Sequence, residues 1–329
     1  MPDQPVAAPP EVSAGARRDR TTALRRIVTG RPVRWGFVAA TIGLGGWAVA
    51  REWSGVRTAL VDIGPLAAIA ALGAVLVAMV AAMQIWRVLL AALGSPLPVR
   101  AAARVVFVGQ LGKYLPGSVW PVLAQMELAT AHHVPRTRSA TASVLTMLVS
   151  LLGGLLTALF TLPFVIGRSG GPTPYLWTFV AAPVILAALH PRILNPILTA
   201  LLKLARRPPL ERPLTGRAIS VALAWSLVSW VLYGLQIWLL ATRIGVTDGS
   251  STGTVLLLAA GGFAFAWSVG FLVVFAPAGA GVREVLLVAL LGPVLGTGGA
   301  TAIALVSRVL MTVGDLATAA VSAWHRPTE

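Results

Sequence analysis

A chain of 329 residues that is 57% hydrophobic and only 11% charged, with mean hydropathy +0.82, carries too little polar surface for a soluble globular domain and belongs to the all-α, polytopic membrane class. The absence of cysteine excludes a disulfide framework, thiolate metal sites and a cysteine nucleophile. A net charge of +15 would suit a nucleic-acid binder, but the basic residues cluster between apolar segments, so no nucleic-acid partner is expected.

Residues 1–34 hold seven Arg against Asp3, Glu11 and Asp19, open with Pro and Ala, and have no apolar core; they read as a disordered basic cytoplasmic tail. The apolar run that follows lacks a small-residue cleavage site and is therefore an anchor rather than a signal peptide. Its Trp35 to Ala50 stretch, bracketed by Trp35, Trp47 and Trp53, predicts a first span. A charge-balanced loop is expected over Arg51 to Gly64, then a second span over Pro65 to Leu93, with Arg87 extending to the interface.

Gly109 to Glu127, GQLGKYLPGSVWPVLAQME, is not a plain helix. Gly112, Pro116, Gly117 and Pro121 remove donors or helix preference, so a helix must break near Pro116 and restart after Ser118 or Trp120. Such backbone survives at membrane depth only where protein or water covers it. Both flanks are basic, which predicts a re-entrant segment that enters from the cytoplasm and returns there. His132 and His133 are adjacent, so on a helix their rings point about 100° apart; an interfacial pair suits them better than a metal site, and no cofactor is expected.

Thr141 to Ile166 and Tyr175 to Leu189 predict two crossings joined by a turn over Gly167 to Pro174. The linker 191–217 carries Arg192, Lys203, Arg206, Arg207, Arg212 and Arg217 against Glu211 and is read as cytoplasmic, with Ile193 to Leu204 lying on the membrane. In the second half Ala218 to Ala241 crosses, and Thr254 to Phe275 enters from outside and breaks at Pro277. Val282 to Leu291 then returns to a Gly-rich loop, Gly292 to Gly299, before a last span over Ala300 to Trp324. The halves are thus 35–190 and 218–326 of one domain, 35–326. They hold about six spanning helices plus two re-entrant broken helices, the arrangement of an inverted repeat; complete crossing by Thr254 to Phe275 gives the alternative of eight spanning segments. Of 26 Lys and Arg, 19 fall on the assigned cytoplasmic side, which puts both termini inside.

GKYLPGSVW (Gly112 to Trp120) together with PAGAGVRE (Pro277 to Glu284) resembles the paired signatures of the flippase-like, lysylphosphatidylglycerol synthase transmembrane-domain family, whose usual forms are close to GKYLPGKVW and PGGLGVRE. Ser118 stands where the family often has a base, and Ala278 where it has a Gly. The resemblance implies a bacterial cell-membrane protein that handles lipid. It also implies that the cytosolic aminoacyl transferase of the family's best-known member is missing here, so this chain is not expected to be an enzyme.

Polar groups inside the membrane carry the chemistry, because each costs roughly 2.5 to 3.5 kcal/mol at the bilayer centre unless protein or water receives it. The candidate substrate-binding residues are Lys113, Tyr114, Pro116, Gly117, Trp120 and Glu127 in the first broken segment. Pro277, Gly279, Gly281, Arg283 and Glu284 are those of the second. Arg283 sits in the first turn of a helix, where free N–H groups favour an anion; its alternatives are pairing with Glu127 or Asp315, or snorkelling to the interface. Arg308 and Asp315, seven apart on one helix face, are expected to form a structural ion pair. Two function classes follow. One is a lipid translocase or carrier whose opposed half-helices hold an anionic headgroup; the other is a non-transporting scaffold that docks a membrane enzyme of lipid-linked glycan synthesis on its basic linker.

Overall fold

The computed structural model of the protein describes residues 50, 53–114, 119–166, 173–204, 213–246, 249–273 and 281–324, and their regular structure is helical throughout. The tail, nearly all of the first predicted span, and Pro116, Gly117, Pro277 and Gly279 lie outside the described residues. The helices are α1 Trp53–Ala92, α2 Val99–Ala103, α3 Trp120–Thr130, α4 Arg136–Ile166, α5 Thr173–Ala188, α6 Pro191–Leu204, α7 Gly216–Ile244, α8 Thr252–Leu272 and α9 Val282–Trp324. Five of them, α1, α4, α7, α8 and α9, are long and apolar enough to cross a membrane. Val180–Ala188 of α5 and Pro191–Ala200 of α6, bent by 54°, would make a sixth span if taken together. The protein is an all-α polytopic membrane protein.

Helix α1 shows why. Ala71, Val75, Met79, Met83, Trp86 and Leu90 recur every three or four residues and are buried against α4, α7 and α9, while Leu66, Ile69, Val77 and Val80 stand exposed on the other side. An apolar face without a protein partner is costly in water and at rest in lipid. Between helices, small residues let backbones approach, since lipid offers no hydrophobic gain for association. Gly234 of α7 abuts Ala260 of α8, Gly261 of α8 abuts Thr161 of α4, Gly153 of α4 abuts Ser226 of α7, and Gly314 of α9 abuts Val75 of α1.

Two expected loops are helical instead. The stretch over Arg51 to Gly64 is a helix from Trp53, because Val56, Ala59 and Ile63 repeat at helical spacing and are buried, the first two against Ala302 of α9. It ends at Gly64, whose φ of 62° and ψ of 169° belong to a region open only to glycine. The Gly-rich stretch over Gly292 to Gly299 is likewise helix on both sides of one residue, Gly296 (φ 72°, ψ 155°). Gly299 serves packing: a Cβ there would lie 2.8 Å from Ile244 Cγ2 of α7.

The first broken segment forms a hairpin. Its outgoing arm runs from α2 through a π-helical turn, Arg104–Val108, to a 3-10 turn, Leu111–Tyr114; its return arm is α3, which restarts at Trp120 with Pro121 in its first turn. Neither arm is a candidate span. The arms cross tightly at two glycines: a Cβ on Gly109 would meet Gln125, and one on Gly112 would lie 2.8 Å from the Trp120 carbonyl carbon. Gln125 is held in turn by a buried network in which Trp86 Nε1 donates to Ser143 Oγ at 3.1 Å and Ser143 Oγ donates to Gln125 Oε1 at 2.5 Å. The second broken segment differs, since α8 alone has 21 residues, about 30 Å of helix, and length fits complete crossing. Both halves nevertheless share one order of elements: a long helix (α1, α7), a broken pair, then a long helix (α4, the part of α9 after Gly296).

Candidate functional site

Both broken segments converge on one face of α9. Ser307, Met311 and Asp315 succeed one another at four-residue steps, with Arg308 beside them, so their side chains form a polar stripe. From the first segment, Lys113 Nζ lies 2.6 Å from Asp315 Oδ2 and Tyr114 donates its hydroxyl to the same oxygen at 2.6 Å. From the second, Glu284 Oε1 accepts from Arg308 Nη1 at 2.6 Å, and Glu284 Oε2 accepts from the Gly281 backbone N–H at 2.7 Å. The latter bond is the glutamate half of a capping box at the start of α9, since Gly281, with φ 87°, has no side chain to return it. Gln236 of α7 reaches the same stripe by donating to Ser307 Oγ at 2.7 Å.

Arg283 is the group left over. It is only 7% exposed, its Nη1 points at Met311 Sδ at 3.2 Å, a weak acceptor, and its guanidinium lies 5.0 Å from the ring centroid of Phe263. Glu284 Oε1 is 4.0 Å from its Nε, beyond hydrogen-bond reach. Nε and Nη2 are buried and have no hydrogen-bond partner among the described residues. A buried cation with two unmet donors costs several kcal/mol unless an acceptor meets them. Below Arg283 the rings continue: Phe263 lies 6.3 Å from Trp230 and 5.6 Å from Tyr233, Trp230 lies 5.0 Å from Trp267, and Trp267 stacks on Phe271 at 5.2 Å.

Residues 34–318 match the family model described as the lysylphosphatidylglycerol synthase TM region. The chain belongs to this family. No curated protein and no solved structure matches it. The family description names the transmembrane region alone, and the matched residues take in both broken segments and the polar stripe of α9.

The structure brings together Lys113, Tyr114, Gly281, Arg283, Glu284, Arg308 and Asp315 from the sequence candidates, and it leaves two others apart. Glu127 stands outside the cluster: its side chain is 67% exposed and forms a bidentate pair with Arg136 at 2.8 and 3.1 Å, whose hydrogen bonds hold the carboxyl below the usual carboxylate range. It lies on the outer side of α3, away from the buried face of Gln125 and Ala129. Trp120 opens the return arm with its side chain exposed, and its backbone is what faces Gly112. Arg308 and Asp315 do not pair with each other; one step of α9 places each opposite a different broken segment, so Arg308 takes Glu284 and Asp315 takes Lys113. Arg283 pairs with neither Glu127 nor Asp315. Met311, Phe263 and Tyr233 were not legible as site residues. Their signals were spacing alone: Met311 falls between Arg308 and Asp315 on one face, and Phe263, Trp267 and Phe271 repeat every fourth residue of α8.

Proposed function

We propose that this family member is a lipid carrier or translocase of the bacterial cell membrane that holds an anionic headgroup at Arg283, with both termini on the cytoplasmic side. The observation that carries the reading is the buried guanidinium whose Nε and Nη2 have no partner among the described residues, where the two broken segments meet. A headgroup phosphate there would satisfy both donors while its chains stay in the bilayer. Alternating exposure of such a site through movement of one broken segment against the other would carry the headgroup across.

The test pairs lipid binding with thermal stability. Arg283→Lys keeps the charge but loses the planar fork, and should weaken binding of an anionic lipid while the melting temperature stays near wild type. Arg283→Ala should weaken binding further. If Arg283 is a structural partner of Glu284 instead, Arg283→Ala will lower the melting temperature sharply and Glu284→Gln will restore it; that pattern overturns the headgroup reading. Reconstitution with a fluorescent anionic lipid then separates transport from a scaffold role: a translocase moves the probe between leaflets, and the Arg283 variants do not.

A further inference from the structure

We infer that the Arg283 site selects a phosphodiester with one net negative charge on an apolar chain, and disfavours phosphomonoesters and diphosphates; this rests on the headgroup reading above. The charges linked at the site are three cations, Lys113, Arg283 and Arg308, and two carboxylates, Glu284 and Asp315. Two ion pairs at 2.6 Å consume Lys113 with Asp315 and Arg308 with Glu284, leaving one positive charge. The flanking stretches 115–118 (LPGS) and 274–280 (VFAPAGA) contain no ionisable side chain that would change this balance. One negative charge therefore neutralises the patch. A phosphomonoester carries about 1.5 to 2 negative charges at pH 7, and its excess would face Glu284 Oε1, which is 4.0 Å from Arg283 Nε, in a poorly solvated setting that strengthens the repulsion.

The donor geometry agrees with the charge. Nε and Nη2 are the two atoms of one edge of the guanidinium, Nη1 being turned toward Met311. That edge presents two parallel N–H donors, and a phosphodiester has two non-ester oxygens to accept them. The rings name the source. Phe263 beneath the guanidinium is fully buried, Trp267 one turn on is partly exposed, and Phe271 a further turn on is 37% exposed beside the exposed Leu272. This ladder leads from the anion position to the lipid-facing surface of α8, a path suited to the chain of a lipid and without use to a soluble diester.

Three probes test the inference on the full-length protein in detergent at pH 8: phosphatidylmethanol (one charge), phosphatidic acid with the same acyl chains (approaching two), and soluble dimethyl phosphate. Phosphatidylmethanol should bind at least about tenfold more tightly than phosphatidic acid, the effect of one poorly screened charge, and dimethyl phosphate should not displace it. Glu284→Gln raises the residual charge to two while its amide oxygen still caps Gly281, so the preference should reverse toward phosphatidic acid. Equal or tighter binding of phosphatidic acid to the wild type overturns the charge rule, and displacement by dimethyl phosphate overturns the lipid source. If both lipids bind equally and Arg283→Ala abolishes both, the headgroup reading stands and this inference falls. If neither lipid binds, or Arg283→Ala binds both as the wild type does, the headgroup reading falls with it.

Discussion

Asp315 holds the first broken segment to the last helix by two bonds on a single oxygen, Lys113 and Tyr114 each at 2.6 Å, and it is only 7% exposed. Asp315→Asn keeps the shape but removes the charge, leaving Lys113 unmatched. Breaking a fully buried pair costs about 3 to 5 kcal/mol, and Lys113, part of whose side chain reaches solvent, should lose less, about 2 to 3 kcal/mol. Thermal unfolding in detergent measures it. Adding Lys113→Met should recover most of the loss, and a double-mutant cycle without coupling would show that the pair contributes nothing. Type and depth of these charges were legible in the chain, since no other reason places Lys113, Arg283, Arg308 and Asp315 among apolar helices. Their partners were not, because a seven-residue spacing puts Arg308 and Asp315 on one face without saying what stands opposite each.

At the scale of elements, glycines decide how helices break and how near they come, by two different mechanisms. Gly112→Ala introduces a Cβ 2.8 Å from the Trp120 carbonyl carbon, where no side chain can move aside. The hairpin arms must separate, and stability should fall by roughly 1 to 3 kcal/mol. Gly296→Ala meets no atom within 4 Å but forces a non-glycine residue to φ 72°, ψ 155°; its cost, about 1 to 3 kcal/mol, is purely conformational. Gly73→Ala, with open space around it and ordinary helical backbone, is the control and should be neutral or slightly stabilising. Melting temperatures of the three variants separate the mechanisms; an unchanged Gly112→Ala would mean that the arms are not packed as described. The start of α3 at Trp120 is readable from proline and glycine chemistry, whereas Gly292 to Gly299 is helical where the sequence predicts a loop. Four glycines in eight residues lower helix preference, but the close approach of Ile244 to Gly299 repays it, and that contact joins residues far apart in the chain.

For the whole molecule, the bias of Lys and Arg makes a topological prediction. In this cysteine-free chain, Gly55→Cys and Ser250→Cys should label with a membrane-impermeant maleimide in intact cells, and Ser13→Cys, Ala205→Cys and Thr328→Cys only after permeabilisation. Cytoplasmic labelling at Ser250→Cys would overturn the assignment of the second half, including the side from which α8 enters. Helices α1 and α7 pack along each other, and five helices are long and apolar enough to cross a membrane.

The amino-acid sequence by itself determined the membrane class, the family and most of the charged groups that meet on α9. These are local properties: an apolar run long enough to span, a proline that cannot donate, a charge with no water near it. The tertiary structure alone decided who meets whom. Tyr114 and Asp315 are 201 residues apart and Arg308 and Glu284 are 24 apart, so their pairing depends on which face each helix presents once small residues have set the packing. Among the described residues that packing leaves Arg283 as the one cation of the cluster without a matched acceptor, a property of the sum of five charges that no single stretch of the chain contains.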